Sequence, residues 1–158
     1  MNIEDAIRSR SSIRAFNDTP VSRGTVTRIL DMAQRAPSGT NTQPWHVHVA
    51  AGLVRDAITA EAYAMFQRGE TDSYAEHDYY PDIWTDTHRD RRRAVGWGLY
   101  GLLGIEKGDR DASMQQAAHN YLLFDAPVGI FVTIERYLAK GSWFDVGLYV
   151  QTIMLAAR

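Results

Sequence analysis

The spacing of apolar residues alternates between helical and strand periods along this chain, and the changes of period mark its elements. Asn2 stands as an N-cap, with Glu4 and Asp5 in the first turn and Ile3, Ala6 and Ile7 on one face, predicting a short helix that ends at Arg10. Pro20-Val21-Ser22 opens a second helix, in which Val26, Ile29, Leu30 and Ala33 recur at helical spacing. Pro37 closes it, because the residue before a proline is driven out of helical geometry. Trp45, Val47 and Val49 then alternate with His46 and His48, the period of a half-buried strand with both histidines on its polar face.

Helical spacing returns over 54–67, with Val54, Ala57, Ile58 and Met65 on one stripe. The stretch 69–90 is rich in Asp, Glu and Tyr without a sustained period, and reads as an excursion or lid with room for short helical turns. Helical patterns resume at 91–104 and 113–124, the second through Met114, Ala117, Ala118, Tyr121 and Leu122. Pro127 precedes a β-rich run, Val128 to Ile134, read as a central strand. From Trp143 to Arg158 the chain is apolar nearly all round, which predicts a long buried helix over 143–158. That pattern is still running at Arg158 with no Gly, Asn or Pro to close it, so further sequence is expected beyond it.

Composition narrows the function classes. A chain of 158 residues is one domain's worth, and a single domain over 1–158 is expected. With 45% hydrophobic and 11% aromatic residues it should fold. A net charge of −2 gives no general attraction to nucleic acid or to an anionic membrane, so any anion site must be local. No cysteine is present for a disulfide framework or a thiolate metal site, and the five histidines lack ligand spacing. The N-terminus lacks a signal-peptide pattern and no apolar run has the length of a membrane span, so a cytoplasmic location is expected.

Two segments carry candidate chemistry. Arg10, Ser11, Ser12 and Arg14 put two guanidinium groups and two hydroxyls within five residues, a set suited to a compact dianion such as a phosphate. By itself this phrase reads better as a solvated basic turn. The second segment, Ala36-Pro37-Ser38-Gly39-Thr40-Asn41-Thr42-Gln43-Pro44-Trp45, is a polar loop bounded by prolines. Asn41 and Gln43 each offer an amide donor and acceptor, and Gly39 permits close backbone approach, so the loop can meet the polar edge of a heteroaromatic ring. No Gly-rich loop follows a strand, which argues against a Rossmann or P-loop site. Arg89, Arg91, Arg92 and Arg93 form a basic run, and with Asp78, Asp82, Asp86 and Asp90 nearby it reads as a solvated or ion-paired segment and not as a nucleic-acid site.

The two segments in this order and spacing resemble the N-terminal signature of the FMN-dependent nitroreductase family. The matching residues are Arg10, Ser12, Arg14 and Phe16 in the first phrase, and Ala36, Pro37, Ser38, Asn41, Gln43, Pro44 and Trp45 in the second. The stretches 91–97, 124–127 and 145–158 are similar to the nitrobenzoate-reductase-like branch, so the likeness covers essentially the whole chain. The resemblance implies an α+β fold, with a mostly antiparallel central sheet flanked by helices, and a homodimer with FMN at the subunit interface. It implies that Arg10, Ser11, Ser12 and Arg14 hold the FMN phosphate and ribityl chain, while Pro37, Ser38, Gly39 and Asn41 of the partner chain approach the isoalloxazine. The implied chemistry is ping-pong transfer of electrons from NAD(P)H to a nitroaromatic or quinone acceptor, with no side chain acting as nucleophile. Tyr80, Trp84 and Arg93 are candidates to line the mouth over the flavin and to favour an acidic aromatic acceptor. Family members continue past the helix that matches 144–158, so this chain by itself is expected to bind FMN weakly or not at all. Two alternatives stay open: a non-catalytic fragment that cannot hold FMN, and a same-fold enzyme with another flavin reaction such as dehalogenation.

Overall fold

In a computed structural model, which describes residues 2–70 and 78–158, the chain is α+β, with six α-helices and an antiparallel strand pair. It divides into two compact units, Met1–Asp56 with Asp125–Arg158, and Ala57–Phe124.

The first unit begins with α1 (Ile3–Ser9). A reciprocal capping box starts it: the Asp5 amide donates to Asn2 Oδ1 at 2.9 Å, and the Asn2 amide donates to Asp5 Oδ2 at 3.2 Å. Helix α2 (Arg23–Ala33) is capped by Ser22, whose Oγ accepts from the Thr25 amide at 3.0 Å. Strand β1 (Trp45–Ala51) pairs antiparallel with β2 (Val128–Ile134), in a register that sets Trp45 opposite Ile134 and Ala51 opposite Val128. Both histidines of β1 lie on its polar side as expected, His46 beside Glu135 at 3.5 Å and His48 Nε2 at 3.2 Å from Thr133 Oγ1. Among the described residues β2 has β1 as its one neighbour, so it is not flanked on both sides as a central strand would be.

Helix α6 (Lys140–Ala156) closes the unit against α2 and β2. The periodicity places this helix well but overstates its burial. Its buried residues are Asp145, Tyr149 and Ile153, one ridge at four-residue spacing, while Phe144 is 71% exposed. A single ridge is what one layer of α2 and the sheet can cover. That ridge meets Ala33, Ala36 and Trp45 to form the core, with Ile29, Leu30, Val47, Ile130, Val132 and Val146 packed around it. Trp45 and Tyr149 stack with ring centroids 4.4 Å apart and planes 14° from parallel. Small Ala33 and Ala36 let the two large rings fill the space between α2 and α6.

Helix α3 (Gly52–Gln67) follows β1 directly, and Gly52 at φ 55° supplies the left-handed residue on which the chain reverses. The expected helix is there; of its apolar stripe Val54 and Ile58 are exposed and Met65 is half-buried, and the buried side chain is Thr59.

In the second unit, α4 (Asp86–Leu102) starts five residues before the expected 91. The residues at its start are charged, but they stand at helical spacing, with Asp86 in the first turn ion-paired to Arg89 one turn on. Of the 69–90 stretch, 71–77 lies outside the described residues, and 78–85 carries no regular helix or strand. Helix α5 (Arg110–Ala118) is capped by Asp109 and ends six residues before the expected 124. Asn120 explains the early stop: its Nδ2 donates to the Ala117 carbonyl at 2.9 Å, offering that helix end a side-chain partner. Phe66 and Tyr121 stack in this unit at 4.7 Å. No described helix is long and apolar enough to cross a membrane.

The Tyr149 side chain is fully buried, and its hydroxyl has no hydrogen-bond partner among the described residues. Burial pushes its pKa up. The folded chain therefore favours the neutral phenol. Stability is whole below the unfolded tyrosine value of about 10 and is lost as pH rises from there through the higher folded value. Tyr149→Phe should keep or raise stability at pH 7 and flatten the alkaline loss, whereas Tyr149→Ala should cost about 3–5 kcal/mol. Urea melts at pH 7 and pH 10.5 check both.

Candidate functional site

Arg10 is the C-cap of α1, half-buried, with its amide donating to the Ala6 carbonyl at 3.0 Å. Residues 11–20 that follow are exposed. Arg14 Nη1 donates to the Ser12 carbonyl at 3.2 Å. Neither Arg10 nor Arg14 is ion-paired among the described residues. Two unpaired guanidinium groups beside the Ser11 and Ser12 hydroxyls are a donor set that fits a phosphate.

The second segment is held in an unusual backbone. Thr40, Asn41 and Gln43 have φ of 49°, 60° and 48°, three left-handed residues within four positions. Asn tolerates this region, but a β-branched Thr there is strained. Such a conformation persists only where its surroundings over-determine it, and here they do. The Gln43 amide donates to Ser38 Oγ at 3.0 Å, Gln43 Nε2 donates to Asn41 Oδ1 at 3.0 Å, and the Asn41 amide donates to the Ser38 carbonyl at 3.0 Å. Ala36 on one side and Pro44 and Trp45 on the other are buried, so both ends of the loop are clamped in the core. Its middle is tied to α6, where the Gly39 amide donates to Asp145 Oδ2 at 3.1 Å.

Asp145 was missed as a site residue, although a lone carboxylate in the run Trp143-Phe144-Asp145-Val146 was a visible signal. It is 9% exposed. A buried carboxylate is costly unless paired, and the Gly39 amide is its partner across 106 residues of sequence.

The loop is thus tied to α6, and Ser9, the residue before the arginine phrase, is tied to Arg158 just beyond the end of α6. The loop is bonded to Asp145, and Arg158 Nε donates to Ser9 Oγ at 2.9 Å, next to Arg10. Asp145 and Ala156, the last residue of α6, lie eleven positions apart, roughly 17 Å along the helix axis.

Tyr80, Trp84 and Arg93 all lie in the second unit. Trp84 and Arg93 line one cleft, whereas Tyr80 stands beside it, 5.6 Å from the Trp84 ring. The expected ion pairing of the basic run holds for Arg89 with Asp86. Arg92 instead lies over the rings of Tyr80 and Trp84, at 4.6 and 5.2 Å.

The α+β architecture is the nitroreductase-like fold. The chain superposes on the crystal structure of the FMN- and NADPH-dependent nitroreductase NfnB from Sphigopyxis sp. strain HMH with a TM-score of 0.91, at 38% identity over 99% of this chain and 70% of that one. It superposes on NfnB from Mycobacterium smegmatis in complex with NADPH with a TM-score of 0.89, at 29% identity over 97% of this chain and 68% of that one. The model of the nitroreductase family matches residues 7–158, and the chain belongs to that family. It is 38% identical to a 4-nitrobenzoate reductase of Nocardioides sp. (strain LMS-CY), over 96% of this chain and 62% of the relative. It is also 38% identical to the 4-nitrobenzoate reductase of Pseudomonas putida, over 99% of this chain and 68% of the relative. The chain therefore spans about two thirds of the length of these relatives.

Asp145→Ala should remove the anchor of the strained loop at a cost of about 1.5–3 kcal/mol, the range for a hydrogen bond to a charged group. Amide exchange at Gly39 should accelerate in that variant and stay near wild type in Asp145→Asn, which keeps an acceptor. Unchanged Gly39 protection in the alanine variant would show that the bond does not hold the loop.

Proposed function

We propose that this chain is part of a flavin-dependent reductase that passes electrons from NAD(P)H to nitroaromatic or quinone acceptors in ping-pong order. The carrying observation is the pair of unpaired arginines with two hydroxyls at the end of α1, in a chain otherwise close to neutral. FMN, when bound, supplies the two-electron chemistry. Arg10, Ser11, Ser12 and Arg14 hold its phosphate by charge-assisted and neutral hydrogen bonds. The Pro37–Asn41 backbone, fixed by Asp145 and by its own turn, offers preorganised groups to the ring edge. Relatives named for FMN, NADPH and 4-nitrobenzoate support this cofactor, this donor and this acceptor class.

The separation of these two ties, at Asp145 and just beyond the end of α6, supports a site shared between subunits of a homodimer, with the phosphate phrase from one chain and the ring-facing loop from its partner. The exposed residues of α6, Phe144 foremost, supply apolar surface for such an interface. A cytoplasmic location accords with a nicotinamide-dependent reductase.

Changing Arg10 or Arg14 to Ala should weaken FMN binding about 10-fold or more, read as the dissociation constant from quenching of flavin fluorescence. Exchanging Arg110, at the start of α5, for Gln should leave it unchanged. Unaltered affinity in both alanine variants would remove the phrase from the flavin site.

A further inference from the structure

The second unit holds a cleft of about 400 Å³ between α3 and α5, with every lining residue inside that unit. Helix α3 contributes Tyr63, Phe66 and Gln67, and α5 contributes Asp111, Met114, Gln115 and Ala118. Each set recurs at three- and four-residue spacing, so one face of each helix is turned to the cleft.

The lining divides into an apolar part and a polar edge. Phe66, Met114 and Ala118 supply the apolar part, and the Phe66 ring is held by its stack on Tyr121, 4.7 Å away and 28° from parallel. On the polar edge, Gln67 Nε2 donates to the Tyr63 hydroxyl at 2.7 Å, which leaves Gln67 Oε1 as an acceptor and the Tyr63 proton as a donor. Among the described residues Gln115 makes no side-chain hydrogen bond and Asp111, in the first turn of α5, has no cationic partner. The lining thus carries one uncompensated carboxylate, free amide groups and no cation.

We propose that this cleft binds an adenine base, free or as its nucleoside. The ring lies against Phe66 and Met114, since aromatic and apolar faces favour a flat ligand. Gln115 pairs with the ring nitrogen and one amino hydrogen in bidentate fashion, and Asp111 accepts the other amino hydrogen. A carboxylate accepts from an amino group and is repelled by a carbonyl oxygen in the same place, so Asp111 sets the choice of base. The phosphates of a nucleotide find no cation in the lining. The volume falls in the range of small-molecule sites and accommodates a purine. This inference goes beyond the reductase reading and does not depend on it, because binding here uses neither flavin nor the arginine phrase.

The test is calorimetric titration of the purified chain with adenosine and with inosine, which carries a carbonyl oxygen where adenosine carries the amino group. Adenosine should bind about 10-fold or more tighter than inosine. Asp111→Asn offers an amide that donates to the inosine oxygen, so the preference should shrink to about 2-fold or less, chiefly by admitting inosine. Gln115→Leu puts a good helix former at an exposed helical position and should weaken adenosine binding about 10-fold. Equal affinity of the wild-type chain for the two nucleosides, or no binding of adenosine at millimolar concentration, overturns the proposal whatever the variants do. An adenosine preference that survives intact in Asp111→Asn also overturns it. So does binding of AMP or NADPH about 10-fold tighter than adenosine, which would make the cleft a phosphate site.

Discussion

The stack of Trp45 on Tyr149 is the contact on which the rest of the first unit depends. Trp45 begins β1 immediately after the strained loop, and Tyr149 is the middle of the one buried ridge of α6. Holding these rings in register therefore sets three things together: the start of the strand pair, the end of the Pro37–Pro44 loop, and the rotation of α6 about its axis. Once that rotation is set, Asp145, one turn before Tyr149, faces the loop and meets the Gly39 amide. Local strain at Thr40, Asn41 and Gln43 is thereby supported by burial elsewhere.

This arrangement links packing to chemistry. A loop that presents backbone groups to a flat ligand is useful only if it does not rearrange when the ligand leaves. The Pro37–Pro44 loop has its two ends in the core and its centre bonded to a buried carboxylate. The arginine phrase is built differently: only Arg10 is held, by its capping bond, and residues 11–20 are exposed. In the proposed flavin site its contribution is charge, which acts over distance.

Much of this was legible in the sequence. The capping residues Asn2 and Ser22, the strand alternation from Trp45 and the extent of β2 follow from local chemistry, which neighbouring residues decide among themselves. The arginine phrase and the loop stand out in the sequence for a similar reason, since each is a contiguous run. Errors gathered where charged or apolar character misrepresents structure. Residues 86–90 looked like an excursion because they are charged, yet their charges pair at helical spacing. The apolar run of α6 predicts burial all round, yet one ridge is buried.

The sequence by itself determined the elements, their caps and the residue types available at each candidate site, because these depend on near neighbours and on short-range periodicity. Tertiary structure alone decided which faces are buried, that Asp145 and Gly39 meet across 106 residues, and that Arg158 meets Ser9 beside the arginine phrase. Those facts depend on how helices rotate and pack, and the rotation of α6 is set by two rings whose stacking no local pattern encodes.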